Sequence, residues 1–311
     1  MRLLRRYPLK RLNNRRVQLW NNVERGNRQF LDFGSAIQKI LGHPHGMMYG
    51  KIGTTELQAL EYSDRRIRSN WLPGATWRRQ ARRLFIDSGV FPEDRDEFEY
   101  FLNTYKASIP KLDAVCLWQD QGSYLQAYET AFVDDVCPGA ALIKPAVFWP
   151  FSIYEYLQGV RLLVVSPFVR TMQAQVDRLP DVFSGRSWAN SLKDMRHRCN
   201  FVRCPFFSYM EKSPYTSWRE GLDRMTEAIL RCQFDLALIG AGAWSLPLLA
   251  NLKMEGRKGI HTGGTTQLFF GIRGKRWDIK NGYKIFNANW IHPLREDTPG
   301  GHLRKEEGCY W

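Results

Sequence analysis

Apolar runs of strand length alternate with amphipathic segments of helical period along most of the chain. Unbroken apolar character in two of these runs is typical of strands that are covered on both faces. Because strands that alternate with helices are typical of a parallel sheet, the pattern predicts an α/β fold. The predicted strands lie at 46–53, 112–118, 160–168, 201–204, 234–243 and 258–264. The predicted helices lie at 54–64, 74–88, 94–106, 171–179 and 217–232, and a short amphipathic helix precedes the last strand.

The two ends of the chain do not follow this pattern. Residues 1–16 contain seven Arg or Lys and no acid, without the apolar core of a secretory signal. This segment either binds anionic lipid or is a solvated basic end, and the sequence leaves both interpretations open. From about residue 281 aromatic, Pro and Gly residues dominate, and this irregular tail either wraps the domain or lines a site. We therefore predict a basic N-terminal extension with a helix at 1–40 and a single domain at 41–311.

Composition narrows the class of protein. The 311 residues are 44% hydrophobic and 24% charged, which is typical of a globular chain and excludes a disordered one. No apolar run has the length of a transmembrane helix. The 45 Lys and Arg exceed the 31 Asp and Glu, and this net charge of +14 indicates nucleic acid, a phosphorylated substrate or anionic lipid as a partner. Six cysteines without the spacing of a disulfide framework predict reduced thiols and a cytoplasmic location.

The residues with candidate chemistry follow the predicted strands, where ligands bind in α/β sheets. After the first strand come Lys51, Gly53, Thr54 and Glu56. Glu56 is either a general base or metal ligand, or part of a helix cap, and the position alone favours the cap. The third strand ends at Ser166, Pro167 and Phe168, with Gln175 on the next helix. This turn either holds a phosphate or ribose or is a simple loop and cap, and the two interpretations are equally supported.

The fifth strand ends at Gly240, Ala241 and Gly242, where backbone amides can approach a diphosphate. Ser245 replaces the third glycine of a dinucleotide fingerprint, and the next strand offers no acid for a ribose. These departures disfavour NAD and still allow a nucleotide diphosphate as a ligand. The glycine-rich segment 263–277 then combines small polar, basic and aromatic residues that can clamp phosphate and stack on a sugar or base. Its candidate residues are Thr265, Gln267, Lys275, Arg276 and Trp277.

Several of these segments together resemble the GT-D-type glycosyltransferases and their relatives in surface-polysaccharide gene clusters. The resemblance covers 46–311 and is carried by KIGTTEL, LLVVSPFVRTMQAQ, FDLALIGAGAWSLPLLANLKMEGRKGIHTGGTTQLFFGIRGKRW, NANWIHPL and EEGCYW. It implies a Rossmann-like single domain that moves a sugar from a nucleotide-diphosphate donor, typically a UDP-sugar. The acceptor it implies is a glycan or a lipid-linked glycan, and the basic N-terminus would then serve at the membrane surface.

The chain departs from this family at one important element. The family carries an Asp-x-Glu element linked to metal and donor binding, and the matching residues here are Thr54, Thr55 and Glu56. The Glu is kept and the Asp is not, which leaves dependence on manganese or magnesium open. The resemblance implies that Glu56 is catalytic and is the metal ligand if there is one. The implied donor-binding residues are Lys51, Gly53, Thr54, Ser166, Pro167, Phe168, Gln175, Gly240, Ala241, Gly242, Thr265, Gln267, Lys275, Arg276 and Trp277.

Three other functions compete with a glycosyltransferase. The missing Asp suggests an inactive relative that binds a glycan or a protein partner as a scaffold. The net charge suggests a nucleic-acid-binding protein, which ranks low because no nucleic-acid-binding module is recognisable. The turn at 240–243 also suits another Rossmann-like transferase, such as one that uses S-adenosylmethionine.

Overall fold

The computed structural model describes residues 28–68, 75–119, 123–143, 153–207, 209–279, 286–305 and 307–311. The basic segment 1–16 and most of the predicted N-terminal extension lie outside the described residues. The predicted division of the chain at residue 40 therefore stays a prediction. The first described strand and helix, which precede and cross that boundary, belong to the same sheet and core as the rest.

Eight parallel strands form one sheet, and the parallel α/β fold predicted from the sequence is confirmed. The spatial order is β1-β4-β3-β2-β8-β7-β5-β6, and every neighbouring pair is parallel. In chain order the strands are β1 Phe30–Leu31, β2 Met47–Gly50, β3 Ala114–Val115, β4 Ala141–Ile143, β5 Leu162–Ser166, β6 Cys199–Arg203, β7 Leu236–Ile239 and β8 Lys258–His261.

Helices cover the sheet and several begin at side-chain caps. Asp32, Asp94, Ser123 and Ser217 each accept a hydrogen bond from the amide three residues later, which satisfies a backbone donor at a helix start. The helices are α1 Phe33–Gly42, α2 Thr54–Arg68, α3 Ala75–Asp87, α4 Arg95–Ser108, α5 Tyr124–Val136, α6 Val169–Gln175, α7 Leu179–Val182, α8 Met195–Arg198, α9 Trp218–Leu230, α10 Ser245–Met254 and α11 Lys275–Ile279. The 3-10 segments include the single turns Gly242–Trp244 and His302–Arg304 and the eight-residue segment Gly263–Phe270.

Two hydrophobic cores lie on the opposite faces of the sheet. Alternate residues of β5 enter different cores: Leu163 and Val165 pack with α2, α4, α9 and α10, whereas Leu162 and Val164 pack with α1, α6 and α7. Every residue of β5 and β7 is buried, as expected for strands covered on both faces. Among the described helices, none combines the length and the apolar character needed to cross a bilayer.

The differences from the predicted elements have simple physical causes. All six predicted strands are present, but β1 and β4 were missed because their two or three residues show no period of their own. Strand β3 is as short as β1, but it lies within the longer apolar run 112–118 that predicted it. The helix α5 was also missed, whereas α1 overlaps the helix expected within 1–40. The predicted helix 171–179 is wrong as one element, since α6 ends at Gln175 and α7 starts at Leu179. Pro180 lacks the N–H that a continuous helix would donate to the Val176 carbonyl.

Gly46 lets the start of β2 pack against the turn between α10 and β8. A Cβ at this position would overlap the Lys253 carbonyl oxygen and lie 3.0 Å from the Arg257 oxygen. Because both are backbone atoms, we expect Gly46→Ala to lower the free energy of unfolding by about 1–3 kcal/mol. Urea unfolding measures the change. The control is Gly139→Ala, where a Cβ meets nothing within 4 Å, and an equal loss in both variants would contradict the packing explanation.

Candidate functional site

Two adjoining cavities lie at the carboxyl edge of the sheet, as expected for an α/β fold. The first cavity, of about 190 Å³, is lined by residues at or just beyond the ends of five adjacent strands: β2, β8, β7, β5 and β6. The second cavity, of about 330 Å³, shares Lys51 and Glu56 with the first and opens beside Trp118 and Trp277. Lys51 and Glu56 therefore stand between the two spaces.

Most of the residues predicted from the sequence meet here. The first cavity is lined by the predicted residues Lys51, Gly53, Glu56, Ser166, Pro167, Phe168, Gly240, Ala241, Gly242 and Gln267. The second adds the predicted residues Thr54, Thr265, Arg276 and Trp277.

Two predicted donor-binding residues line neither cavity. Gln175 is buried, and its Nε2 donates 2.9 Å to the Asn289 carbonyl, so this side chain holds the C-terminal tail. Lys275 is half-exposed, and its Nζ lies 3.1 Å from a carboxylate oxygen of Glu307. Sequence position alone could not show that both side chains point away from the strand ends.

Glu56 is a buried carboxyl at the start of α2, with 7% of its surface exposed. It folds back over Gly53, where a Cβ would overlap the carboxylate, so a glycine is required there for this arrangement. Burial raises the pKa of Glu56, while the Ser88 hydroxyl and the charges of Lys51 and Lys305 oppose that rise. The sequence position suggested that Glu56 caps the helix. The structure also buries its carboxyl near cations, an environment that is typical of reactive carboxyl groups.

Lys51 places a buried ammonium beside this carboxyl. Only 9% of the residue is exposed, and its Nζ lies 3.2 Å from the centre of the Trp118 ring. Burial lowers the pKa of Lys51 to about 8, although the charges of Glu56 and Glu129 act in the opposite direction. Near neutral pH the group is therefore a cation that lacks much of its hydration, a condition that strengthens its attraction for an anion.

A buried acid on α5 holds the loop that carries Trp118. Glu129 is fully buried and accepts hydrogen bonds from the backbone N–H groups of Trp118 and Gln119, each at 3.1 Å. The Gln119 amide in turn donates to the Ile52 carbonyl at 3.2 Å and accepts from the Thr54 hydroxyl at 3.1 Å. No local pattern indicates this network, because Gln119 and Thr54 are 65 residues apart.

His261, at the end of β8, is neutral. Its Nδ1 lies 3.0 Å from the Lys51 carbonyl oxygen, an acceptor only, so Nδ1 carries the proton and Nε2 is free to accept. Burial and the nearby charge of Lys51 lower the pKa of His261 to about 3. A Cβ on Gly263 would lie 3.3 Å from Lys51 Nζ and 3.6 Å from His261 Nε2, so both groups border this glycine.

The glycines after β7 and β8 have packing roles. A Cβ on Gly240 would overlap Thr266 Oγ1, and one on Gly264 would lie 2.7 Å from the Tyr310 ring. Gly242 has a φ of 56° and faces the Ser88 carbonyl, which a Cβ would approach to 2.8 Å. These glycines bring the strand-end loops together around the cavities, whether or not a diphosphate contacts their backbone.

The C-terminal tail both wraps the domain and lines the site. The amides of Lys275 and Arg276 donate to the carbonyls of Trp311 at 3.0 Å and Cys309 at 2.9 Å. The tail also contributes Lys305, which is 4% exposed and whose Nζ lies 2.7 Å from Asp87 Oδ1. Sequence reasoning did not select Lys305 or Asp87, which are 218 residues apart.

Aromatic side chains form one wall of the first cavity and part of the second. Phe168, Phe206 and Trp311 pack with ring centres 5.4–5.7 Å apart in the first. In the second, the Arg276 guanidinium lies 4.6 Å from the centre of the Tyr310 ring. Flat apolar surfaces beside fixed cations suit a ligand that combines ring structures with negative charge.

Comparisons with known proteins give similarity in structure. No family model matches the chain, and no curated protein matches it in sequence. It is similar to the selenomethionine-substituted structure of domain of unknown function 1792, with a TM-score of 0.44 and 13% identity over 81% of this chain and 83% of that one. A second structure, described as "The highly conserved domain of unknown function 1792 has a distinct glycosyltransferase fold", gives 0.46 and 12% over 88% and 90%. Both are similarities of structure alone, at low sequence identity.

The neutral state of His261 gives a testable pH dependence. The folded protein takes up this proton only near pH 3, whereas the unfolded chain does so near 6.5. The free energy of unfolding should therefore fall as the pH drops from 6.5 towards 3, and His261→Gln should reduce that slope. Nitrogen-15 NMR of labelled histidine should show the neutral Nδ1–H form of His261 at pH 5. An imidazolium signal at that pH would contradict the assignment.

Proposed function

We propose that this protein is a glycosyltransferase that moves a sugar from a nucleotide-diphosphate donor, a UDP-sugar, to a glycan or lipid-linked glycan. One observation carries the proposal: a buried carboxyl, Glu56, stands among cations and aromatic side chains at the carboxyl edge of a parallel sheet. Transfer from such a donor requires a cationic environment for the departing diphosphate and a carboxylate near the acceptor hydroxyl.

Three cations are placed to stabilise the negative charge of the leaving diphosphate. Lys51, Arg276 and Lys305 line the second cavity, and Lys51 also lines the first. As the bond between the sugar and the diphosphate breaks, negative charge develops on the diphosphate oxygens. Positive groups that are already fixed in a site with little water stabilise that charge without reorganisation. The aromatic wall of Phe168, Phe206 and Trp311 is the surface against which the nucleoside would pack.

Glu56 is the group we assign to the acceptor. Burial raises its pKa, which makes its carboxylate a stronger base than an exposed glutamate. In this role it accepts the proton of the acceptor hydroxyl as the oxygen attacks the anomeric carbon of the donor sugar. Gly53 and the Ser88 hydroxyl hold the carboxyl in place between the two cavities, where donor and acceptor would meet.

Replacement of Glu56 tests this role. We expect Glu56→Gln to lower kcat about 100- to 10,000-fold in a transfer assay with UDP-sugars, because the amide cannot take the proton. Stabilisation of the variant by nucleotide sugars in a thermal-shift measurement should persist, since the cations are unchanged. The control is Glu227→Gln on α9, a half-exposed carboxyl that should leave kcat unchanged.

Two results would contradict the proposal. Full activity of Glu56→Gln would remove the base from the mechanism. No stabilisation of the wild-type protein by any nucleotide sugar, together with tight binding of a glycan, would favour the scaffold function.

A lipid-linked acceptor also gives the basic segment 1–16 a function at an anionic membrane surface. Each Lys or Arg near such a surface contributes about 1 kcal/mol of binding, and this segment has seven. We expect deletion of 1–16 to weaken binding to phosphatidylserine vesicles more than about tenfold. Sedimentation with these vesicles measures the loss, neutral phosphatidylcholine vesicles are the control, and unchanged binding would exclude this role.

A further inference from the structure

We propose that the protein's own cations, Lys51, Lys305 and Arg276, bind the diphosphate of the donor, and that no divalent cation is required for this binding. The inference rests on the proposed function, because it concerns the ligand of the same site. It departs from the metal-linked Asp-x-Glu element of the family that the sequence resembles.

The side chains at the start of α2 do not suit a metal ion. Magnesium and manganese prefer carboxylate oxygens, and Thr54 here offers a hydroxyl that already donates 3.1 Å to the Gln119 amide oxygen. Glu56 is folded back over Gly53 and is hydrogen-bonded to Ser88. In the part of the chain that the structure describes, no three His, Cys, Asp or Glu side chains converge to hold a metal.

Asp87 cannot easily supply the missing carboxylate. It lines both cavities, but the Lys305 ammonium lies 2.7 Å from its Oδ1. A metal at this carboxylate would lie close to the buried Lys305 ammonium, whose positive charge would repel it. The positive charges of Lys51 and Lys305 also act on the space beside Glu56 and would repel a divalent cation there.

The same cations form a site for an anion. Lys51 and Lys305 are 9% and 4% exposed, and both line the second cavity. A buried ammonium is costly unless it is paired, and among the described residues Lys51 makes no ion pair. Its Nζ faces the Trp118 ring on one side, and the charges of Glu56 and Glu129 act on it without a direct ion pair, so the diphosphate would be its direct ionic partner.

Arg276 completes the set from α11. Its guanidinium donates 3.0 Å to the Tyr310 hydroxyl and lies over that ring, which fixes its orientation at the second cavity. Its charge also acts on Lys51, and both side chains line the second cavity, where they can contact one ligand. Planar guanidinium and compact ammonium groups together can contact several oxygens of a diphosphate.

The test is calorimetric titration of the full-length protein with UDP, first in excess EDTA and then with manganese or magnesium. We expect the Kd in EDTA to lie within about threefold of the Kd with either metal. Lys51→Met should weaken UDP binding in EDTA about 10- to 100-fold, the usual effect of losing one charge-assisted hydrogen bond. The control is Lys275→Met, a cation on the same helix as Arg276 whose ammonium pairs with Glu307 outside both cavities.

The role of Lys305 needs a paired variant. Lys305→Met alone leaves the Asp87 carboxylate without its ionic partner and could destabilise the protein. Weaker UDP binding by this variant would then not distinguish a misfolded protein from a lost ligand contact. The double variant Asp87→Asn with Lys305→Met removes both charges, and we expect it to remain folded by circular dichroism while its UDP affinity in EDTA falls about tenfold or more.

The outcomes separate the two proposals. UDP binding that disappears in EDTA and returns with manganese overturns the metal-free site and leaves the glycosyltransferase function standing. Unchanged affinity of Lys51→Met and of the double variant in EDTA also overturns it. Failure of UDP and UDP-sugars to bind under every condition contradicts the proposed function as well.

Discussion

Burial of a parallel sheet on both faces is the constraint on which the rest of this structure depends. Strands β5 and β7 are buried along their whole length, so their side chains are apolar apart from Ser166 at the carboxyl end of β5, and their backbone groups are used in the sheet. Along these two strands, polar and charged side chains are therefore confined to the strand ends. Lys51 follows β2 directly and His261 is the last residue of β8, so the neighbouring positions of these strands bring the two side chains together.

The charged groups at this edge are held under conditions that a purely structural role would not require. Lys51 and Glu56 are both more than nine-tenths buried. Burial lowers the pKa of Lys51 and raises the pKa of Glu56, and both changes favour the neutral form. The protein supports them with fixed surroundings: an aromatic ring against the ammonium, and a glycine and a serine beside the carboxyl. Desolvated charges held in a preorganised arrangement are what a site for a charged ligand requires, and they are gained at some expense in stability.

Residues outside the cavities hold the loops that line them. Glu129 binds two backbone amides of the loop that positions Trp118, and Gln119 joins that loop to the start of α2. On the other side, the C-terminal tail is attached through the backbone of α11 and brings Lys305 to Asp87. The site is therefore assembled from segments at both ends of the described chain, and its geometry depends on their packing as much as on the strand-end residues themselves.

The sequence by itself determined the α/β class and six of the eight described strands, and most of the site residues that it predicted line the cavities. It could do so because buried strands are continuous apolar runs and because the residues that follow parallel strands share one edge. It did not determine the short strands β1 and β4, whose pairing comes from the sheet and from no local period. Only the tertiary structure joined Lys305 to Asp87 and Glu129 to the Trp118 loop, and it turned Gln175 and Lys275 away from the cavities. Contacts between distant segments, and the direction in which a side chain points, follow from three-dimensional packing that no local pattern encodes.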